Sequence, residues 1–442
     1  MSMIDEWIRQ VPAEHCDCGQ THRAALPEWL TGRQITARFL ERLSQFDTSH
    51  IWLMADPDTY AAAGRHLEQA IRDRHMPISC FIFQGRRPEA SEHTVAAARL
   101  GVPDDMSLLL AVGSGTINDI AKVIAAETNV PFIVYATAPS MDGYTSATSS
   151  LLINGRKVSL ATKAADLVAA DTDVLAAAPM EAIQSGVGDV VAKAVSLAEW
   201  QMASVITGEH YCPRIAGLVE HALETVLASA PRLLDREPDA VEALFAGLLV
   251  SGLAMNLAGH SRPASGMEHY ISHLWDMRAA ALGTSADTHG RQCGVGTLLA
   301  LDLIERTCRL QPTAERADAH LDRFVLAAWH DELKTLLGPA ALPLIEAETY
   351  EQKYDPDKVR NRAGRIIGNW PKITGILQSV ITRREAIAAA LSAVHAPLTV
   401  GELTVSEPET EKVLLATRDI RDKYITTRLL FDTGETDSIH AG

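Results

Sequence analysis

The chain has 442 residues, 47% hydrophobic and 22% charged, a globular composition that gives no reason to expect extensive disorder and predicts, at roughly 100–200 residues per domain, two or three domains. Against 40 Lys and Arg stand 56 Asp and Glu, a formal charge of -16, and that field repels phosphodiester backbones and anionic membrane surfaces, so nucleic acid is not an expected partner. Aromatics at 5% leave few platforms for stacking unpaired bases.

The first residues, MSMIDEWIRQ, carry acids and no apolar run of signal-peptide length, so the expectations are a cytoplasmic address and no membrane insertion. Six cysteines in this length are too sparse for a disulfide scaffold and are expected to be thiols. Cys16 and Cys18, with His15 and His22 nearby, look like part of a metal cluster. The C-x-C spacing lacks a second C-x-x-C pair, so a packing or loop role is expected for them.

Between about Gln34 and Pro139 the pattern alternates. Helix-like RQITARFLERLSQF, TYAAAGRHLEQAIRD, SEHTVAAARLG and TINDIAKVIAAETN are interleaved with strand-like IWLMAD, ISCFIF, SLLLAVG and FIVYAT. Short apolar runs separated by amphipathic stretches predict a buried parallel sheet covered by helices. LLINGRKVSLA then reads as a hairpin around Asn154-Gly155, and VAADTD as a last strand. After Pro179 long Ala- and Leu-rich helical periods follow one another. The fold class is therefore α/β plus all-α, with a Rossmann-like α/β domain over residues 1–178 and a helical domain over 179–442. EAETYEQKYDPDKVRNRAGR reads as a solvated helix-loop segment, and the polar end DTGETDSIHAG as frayed.

The turn Gly113-Ser114-Gly115-Thr116-Ile117-Asn118-Asp119 follows a buried strand and precedes a helix, where backbone N–H groups and the helix N-terminus favour a phosphate. It is neither the standard dinucleotide fingerprint, since Asn118 stands where the third glycine belongs, nor a P-loop. A plain tight turn is the competing reading. Asp56 ends the strand IWLMAD, from which a carboxylate reaches a ribose hydroxyl or simply caps the next helix. The hydroxyl-rich segment from Thr137 through Ser140 and Asp142 to Ser146 lies just past FIVYAT, where open α/β sheets bind ligands.

In the helical half, Asp189 in GVGDVVAK opens a helical run, where capping alone would explain it. In GHSRPASGMEHYISH, Ser265 and Glu268 fit a capping box, and His269 and His273 follow at i and i+4 on one helix face. His289 leads the segment HGRQCGVGT. One Asp and two His, with other positions open, form a catalytic set suited to zinc, nickel or iron(II), and no cysteine is expected in it. Spacing does not say which of His269 and His273 is the ligand.

GSGTINDIAK, TAPSMDGYTS, GVGDVVAK, GHSRPASGMEHYISH and HGRQCGVGT, in this order, resemble the glycerol-1-phosphate dehydrogenases, in their bacterial AraM-like branch. That family shares a superfamily with dehydroquinate synthase, glycerol dehydrogenase and the iron-containing alcohol dehydrogenases. The resemblance runs from about Cys16 to the IRDKY segment. It implies NAD(H) or NADP(H) as cofactor, one divalent metal, a homodimer, and reversible reduction of dihydroxyacetone phosphate to sn-glycerol 1-phosphate. It also implies that Gly115, Thr116, Ile117, Asn118 and Asp119 cradle the pyrophosphate. Thr137, Ser140 and Ser146 would lie beside the rest of the cofactor and Asp56 on its adenosine side. Asp189, His269 and His289 would hold the metal, Asp189 thereby also bordering the substrate. Asp142 and His273 would be the catalytic, substrate-side residues. Arg262, His260 or the helix after Ser265 is expected to meet the substrate phosphate, the competing reading being that Arg262 pairs with a structural carboxylate. The alternatives within the superfamily are a glycerol or other polyol dehydrogenase and a dehydroquinate-synthase-like lyase.

Overall fold

The computed structural model describes residues 3–8, 15–24, 26–85, 88–154, 156–405 and 409–439. Its strands are β1 (Glu28–Gly32), β2 (Ile51–Ala55), β3 (Ile78–Ile82), β4 (Leu108–Gly113), β5 (Phe132–Ala136), β6 (Thr148–Ile153), β7 (Arg156–Ala161) and β8 (Leu167–Asp171). Six of them form one parallel sheet in the order β1-β8-β5-β4-β2-β3, while β6 and β7 pair antiparallel as a hairpin.

Strands β2, β4, β5 and β8 are buried at every position, as near-continuous apolar runs require when both sheet faces are covered. The two-residue side-chain period divides each strand between two cores. Ile51, Leu53, Leu108, Leu110 and Val112 face the smaller one, with Phe39, Leu43, Leu67 and Ile71 of the covering helices. Trp52, Met54, Leu109, Ala111 and Val134 face the larger one, which continues without a break through Val187 and Leu249 to Phe431. Edge strand β1 escaped the sequence reading, because EWLTG has a charge, a glycine and only five residues. The expected hairpin is present, with Ile153 opposite Arg156; Gly155 lies outside the described residues.

Seven helices matter for the site: α1 (Gly115–Thr128), α2 (Met180–Val191), α3 (Lys193–Thr207), α4 (Pro213–Ser229), α5 (Pro238–Ala258), α6 (Met267–Leu282) and α7 (His289–Thr307). Among the described residues no strand follows Asp171. Helix α5 is long and apolar enough to cross a membrane, but 83% of its most apolar window is buried inside the fold, as a core helix is.

Four local expectations are corrected. The capping box does not form: Gly266 is the N-cap of α6, and Glu268 accepts the Gly266 N–H at 2.7 Å in place of a Ser265 contact. Asp189 is not at a helix start but in the last turn of α2, fully buried. In the charged segment, Glu348, Tyr354 and Val359 are buried, and the Tyr354 hydroxyl donates to Asp419 at 2.5 Å. At the end, Asp432 accepts from Arg362 at 2.7 Å and Ile439 is buried, so this segment is packed through 439.

Candidate active site

Strand order reverses between β2 and its neighbour β4, since β3 lies beyond β2 and the later strands lie beyond β4. Ligands of open α/β sheets enter at such a switch point, outside the carboxyl ends of the strands. Asp56 follows β2, the Gly113-Ser114-Gly115 turn ends β4, and Thr137 follows β5, its N–H donating to the Gly113 carbonyl at 3.1 Å. The structure thus brings three of the sequence-selected segments to one rim. Ser114 is the N-cap of α1 without a side-chain cap bond, and Gly115 is the first helical residue, so the turn is shorter than its motif suggested. Only glycine fits at position 113, where a Cβ would stand 2.6 Å from the Ile117 side chain.

Asp56 caps its helix, accepting from the N–H groups of Asp58 and Thr59, each at 2.9 Å through Oδ1. Its Oδ2 takes no part in the cap. Asn118 donates to the Gly143 carbonyl at 3.1 Å while its buried Oδ1 has no partner. Ser146 is committed inward, as its hydroxyl meets Lys122 Nζ at 3.1 Å and the Thr148 carbonyl at 3.2 Å. Lys122, which the sequence reading passed over, is wholly buried, and its ammonium also donates to Gly143 and Thr148 carbonyls. Burial brings it down to about 8, against the opposing pull of Asp119 and Asp142. It clamps the loop after β5 onto α1.

The second cluster forms where α2, α6 and α7 converge. Glycines permit the approach: a Cβ on Gly186 would stand 1.9 Å from the Pro139 carbonyl oxygen, and one on Gly188 2.0 Å from that of Gly290. This draws the loop after β5 and the start of α7 against α2 just before Asp189. His269 Nε2 lies 3.4 Å from Asp189 Oδ1, and the His269 and His289 rings are 5.1 Å apart at their centroids. His273 is 5.6 Å from His289 by the same measure.

The outward nitrogens of His269 and His289 are accounted for. His269 Nδ1–H donates to Glu268 at 2.8 Å. The Ser272 hydroxyl donates to Gln292 at 2.7 Å, so at 3.1 Å it receives the His289 Nδ1–H. Both rings then leave Nε2 for the cluster, the arrangement that orients metal-binding imidazoles. Without a metal, burial opposes charge on them, but Cys293 and Asp189 raise both above the ordinary histidine value. His273 differs: its buried Nδ1 has no partner, and burial first, then Arg421 and the other imidazoles, hold it well below its ordinary value and neutral.

One charged neighbour was missed from sequence. Lys193 Nζ reaches Asp189 Oδ1 and Asp142 Oδ2, both at 2.7 Å, and the Asp142 N–H donates to Asp189 Oδ2 at 2.9 Å. Its four-residue spacing from Asp189 in GVGDVVAK was the available signal. Burial opposes charge on Asp189, but Lys193 and His269 hold the carboxyl well below the usual range. Contrary to the sequence reading, a cysteine stands in the cluster: the ligand atoms of His269, His289 and Cys293 lie within 4.8 Å of one another. Burial raises the Cys293 thiol, yet the adjacent His269 and His289 bring it down to about 7. Arg262 takes the structural pairing: it donates to Glu209 at 2.9 Å and to the Tyr424 carbonyl at 2.9 Å.

The parallel sheet with its switch point between β2 and β4, packed with the helical His/Asp cluster, has the fold of the iron-containing alcohol dehydrogenases, and the family described as "Iron-containing alcohol dehydrogenase" matches residues 32–179. Among solved structures, NADH-dependent butanol dehydrogenase A from Thermotoga maritima aligns at a TM-score of 0.61 and 14% identity, over 97% of this chain and all of that one. Glycerol dehydrogenase from Schizosaccharomyces pombe aligns at 0.53 and 19% identity, over 85% of this chain and 94% of that one. In sequence, the chain is 32% identical over 393 residues to glycerol-1-phosphate dehydrogenase (NAD(P)+) of Bacillus licheniformis, covering 82% of this chain and 96% of the relative. It is 33% identical to the enzyme of the same name from Thermococcus kodakarensis over 63% of this chain and 78% of that one. The chain belongs to the glycerol-1-phosphate dehydrogenase family.

Proposed function

We propose that this protein reduces dihydroxyacetone phosphate reversibly to sn-glycerol 1-phosphate with NADH or NADPH. The observation that carries the reading is kinship along 96% of a relative of that activity. The convergence of Asp189, His269 and His289 on one cluster supports it. We further infer two working domains, 1–178 and 179–442, with hydride transfer between the β2/β4 crevice and the α2/α6/α7 cluster.

On this reading the N-terminus of α1, residues Gly115 to Asp119, receives the pyrophosphate, and Asp56 Oδ2 takes an adenosine-side hydroxyl. Thr137 and Ser140 border the remaining cofactor, whereas Ser146 acts by holding Lys122 and the loop. Asp189, His269 and His289 fit a divalent cation, because two imidazoles whose Nδ1 is committed elsewhere leave Nε2 for it beside an ionised carboxylate, giving up on binding any proton held there. When bound, such an ion supplies Lewis acidity toward a ketone oxygen. His273, neutral and with a free buried nitrogen, relays the proton to the product oxygen, and Asp142 orients the substrate from its bonds to Lys193 and Ser251. A homodimer and a cytoplasmic place of work belong to the same reading, the first tested by sedimentation.

The test is to incubate zinc- or nickel-loaded protein with dihydroxyacetone phosphate and NADH and determine the product enantiomer. sn-Glycerol 1-phosphate is expected; sn-glycerol 3-phosphate overturns the proposal. Equal rates on unphosphorylated dihydroxyacetone would point to a polyol dehydrogenase instead, and absence of stoichiometric NADH consumption to a lyase.

A further inference from the structure

Outside the histidine cluster, Cys16 and Cys18 meet a residue 196 positions from the first of them. Cys16 Sγ lies 3.7 Å from Cys212 Sγ, while His22 Nε2 lies 3.1 Å from Cys18 Sγ and 3.2 Å from Cys212 Sγ. All four ligand atoms fall within 4.8 Å of one another. Around a tetrahedral zinc with sulfur bonds of about 2.3 Å, neighbouring sulfurs stand about 3.8 Å apart and sulfur and nitrogen about 3.5 Å. The group therefore already has the size of a zinc coordination shell.

From these contacts we infer that Cys16, Cys18, His22 and Cys212 form a second, structural zinc site, separate from the catalytic cluster.

The surroundings agree with that use. His22 Nδ1–H donates to the Leu257 carbonyl in the last turn of α5 at 3.0 Å, which fixes the tautomer and turns Nε2 toward the sulfurs. Cys212 is the N-cap of α4, which places its thiol beside the helix N-terminus. The ligand turn is tight, with the Gly19 N–H donating to the Cys16 carbonyl at 2.9 Å and Gly19 at φ 83°. Between the two thiols, Asp17 pairs with Arg214 at 2.6 Å, two residues past Cys212. Cys16, His22 and Cys212 are buried, and four protein donors leave no position for substrate. Three soft thiolates with one imidazole favour zinc over hard cations. On binding, each thiol loses its proton to solvent and no electron is transferred. The ion would staple the loop that precedes β1 to the N-terminus of α4 and, through His22, to the end of α5.

The experiment uses the full chain expressed with zinc, as wild type and as His269→Ala, which disables the catalytic cluster. His269→Ala is expected to retain one zinc per chain after dialysis against a weak chelator, and an organomercurial is expected to release it as three thiols react, read with a zinc-sensitive dye. Cobalt loaded into His269→Ala should give a sulfur-to-cobalt charge-transfer band that survives Cys293→Ser and disappears in Cys16→Ser/Cys212→Ser. A His269→Ala protein without zinc, zinc unaffected by the organomercurial, or recovery of a Cys16–Cys212 disulfide from metal-replete protein overturns the site. The release assay on Cys293→Ser, in which thiol modification frees one of two metal equivalents, decides the matter even if the Cys16 and Cys212 variants fail to fold.

Discussion

Lys193 Nζ sits 2.7 Å from Asp189 Oδ1, an ion pair one helical turn long with neither partner more than 1% exposed. Asp142 shares the same ammonium. Removing one member of a buried pair leaves an uncompensated charge, at a cost of about 3–5 kcal/mol. Lys193→Met is therefore expected to lower the melting temperature strongly in chelator-treated protein and less in metal-loaded protein, where the cation takes over part of the compensation. Calorimetry with and without metal checks this; equal losses in both states would separate Asp189 from the metal.

His269→Ala is expected to lose one metal equivalent per chain together with activity, while the sulfur site keeps its own. Elemental analysis beside rate measurement decides, and an unchanged metal count with lost activity would place His269 outside the coordination set.

On the proposed reading, Asp56 divides its two oxygens between a cap and the cofactor. Because Oδ1 caps the helix after β2, Asp56→Ala should cost about 1 kcal/mol in stability. If Oδ2 takes a ribose hydroxyl as proposed, the same change should raise the apparent KM for NADH more than for NADPH. Equal increases for both cofactors would leave only the cap.

Cys293, brought down to about 7 by His269 and His289 against the effect of burial, should be half thiolate near neutral pH in chelator-treated protein. The ultraviolet thiolate absorbance, taken as wild type minus Cys293→Ser, is expected to inflect near that value. Loading with a divalent metal should shift the inflection, since a cation competes with protons for the same imidazoles. An inflection in the ordinary thiol range would show that the imidazoles do not act on it.

Arg262 tests the structural pairing against phosphate binding. With Glu209 and the Tyr424 carbonyl as its partners, Arg262→Ala should cost about 1.5–3 kcal/mol, the worth of charged hydrogen bonds. The KM for dihydroxyacetone phosphate should move less than about threefold. A tenfold or larger rise at unchanged melting temperature would return Arg262 to the substrate.

Local pattern alone determined much of this protein. The apolar runs of β2, β4 and β5, the helical periods after Pro179, and the shared face of His269 and His273 are legible because backbone hydrogen bonding is local and imposes periods of two and 3.6 residues. The strand EWLTG was not, since five mixed residues at a sheet edge carry too little period to stand out. Tertiary structure decided what side chains at long separation do to one another. It set Lys193 between Asp142 and Asp189, put Cys293 beside two imidazoles, gave Arg262 to Glu209, and carried Cys212 to His22 across 190 positions. Such meetings depend on how closely helices pack, and here on glycines such as Gly188 and Gly290 that let backbones touch, which no local period encodes. A C-x-C read alone therefore looked like an incomplete ligand set, because its remaining sulfur is supplied only when the chain has folded.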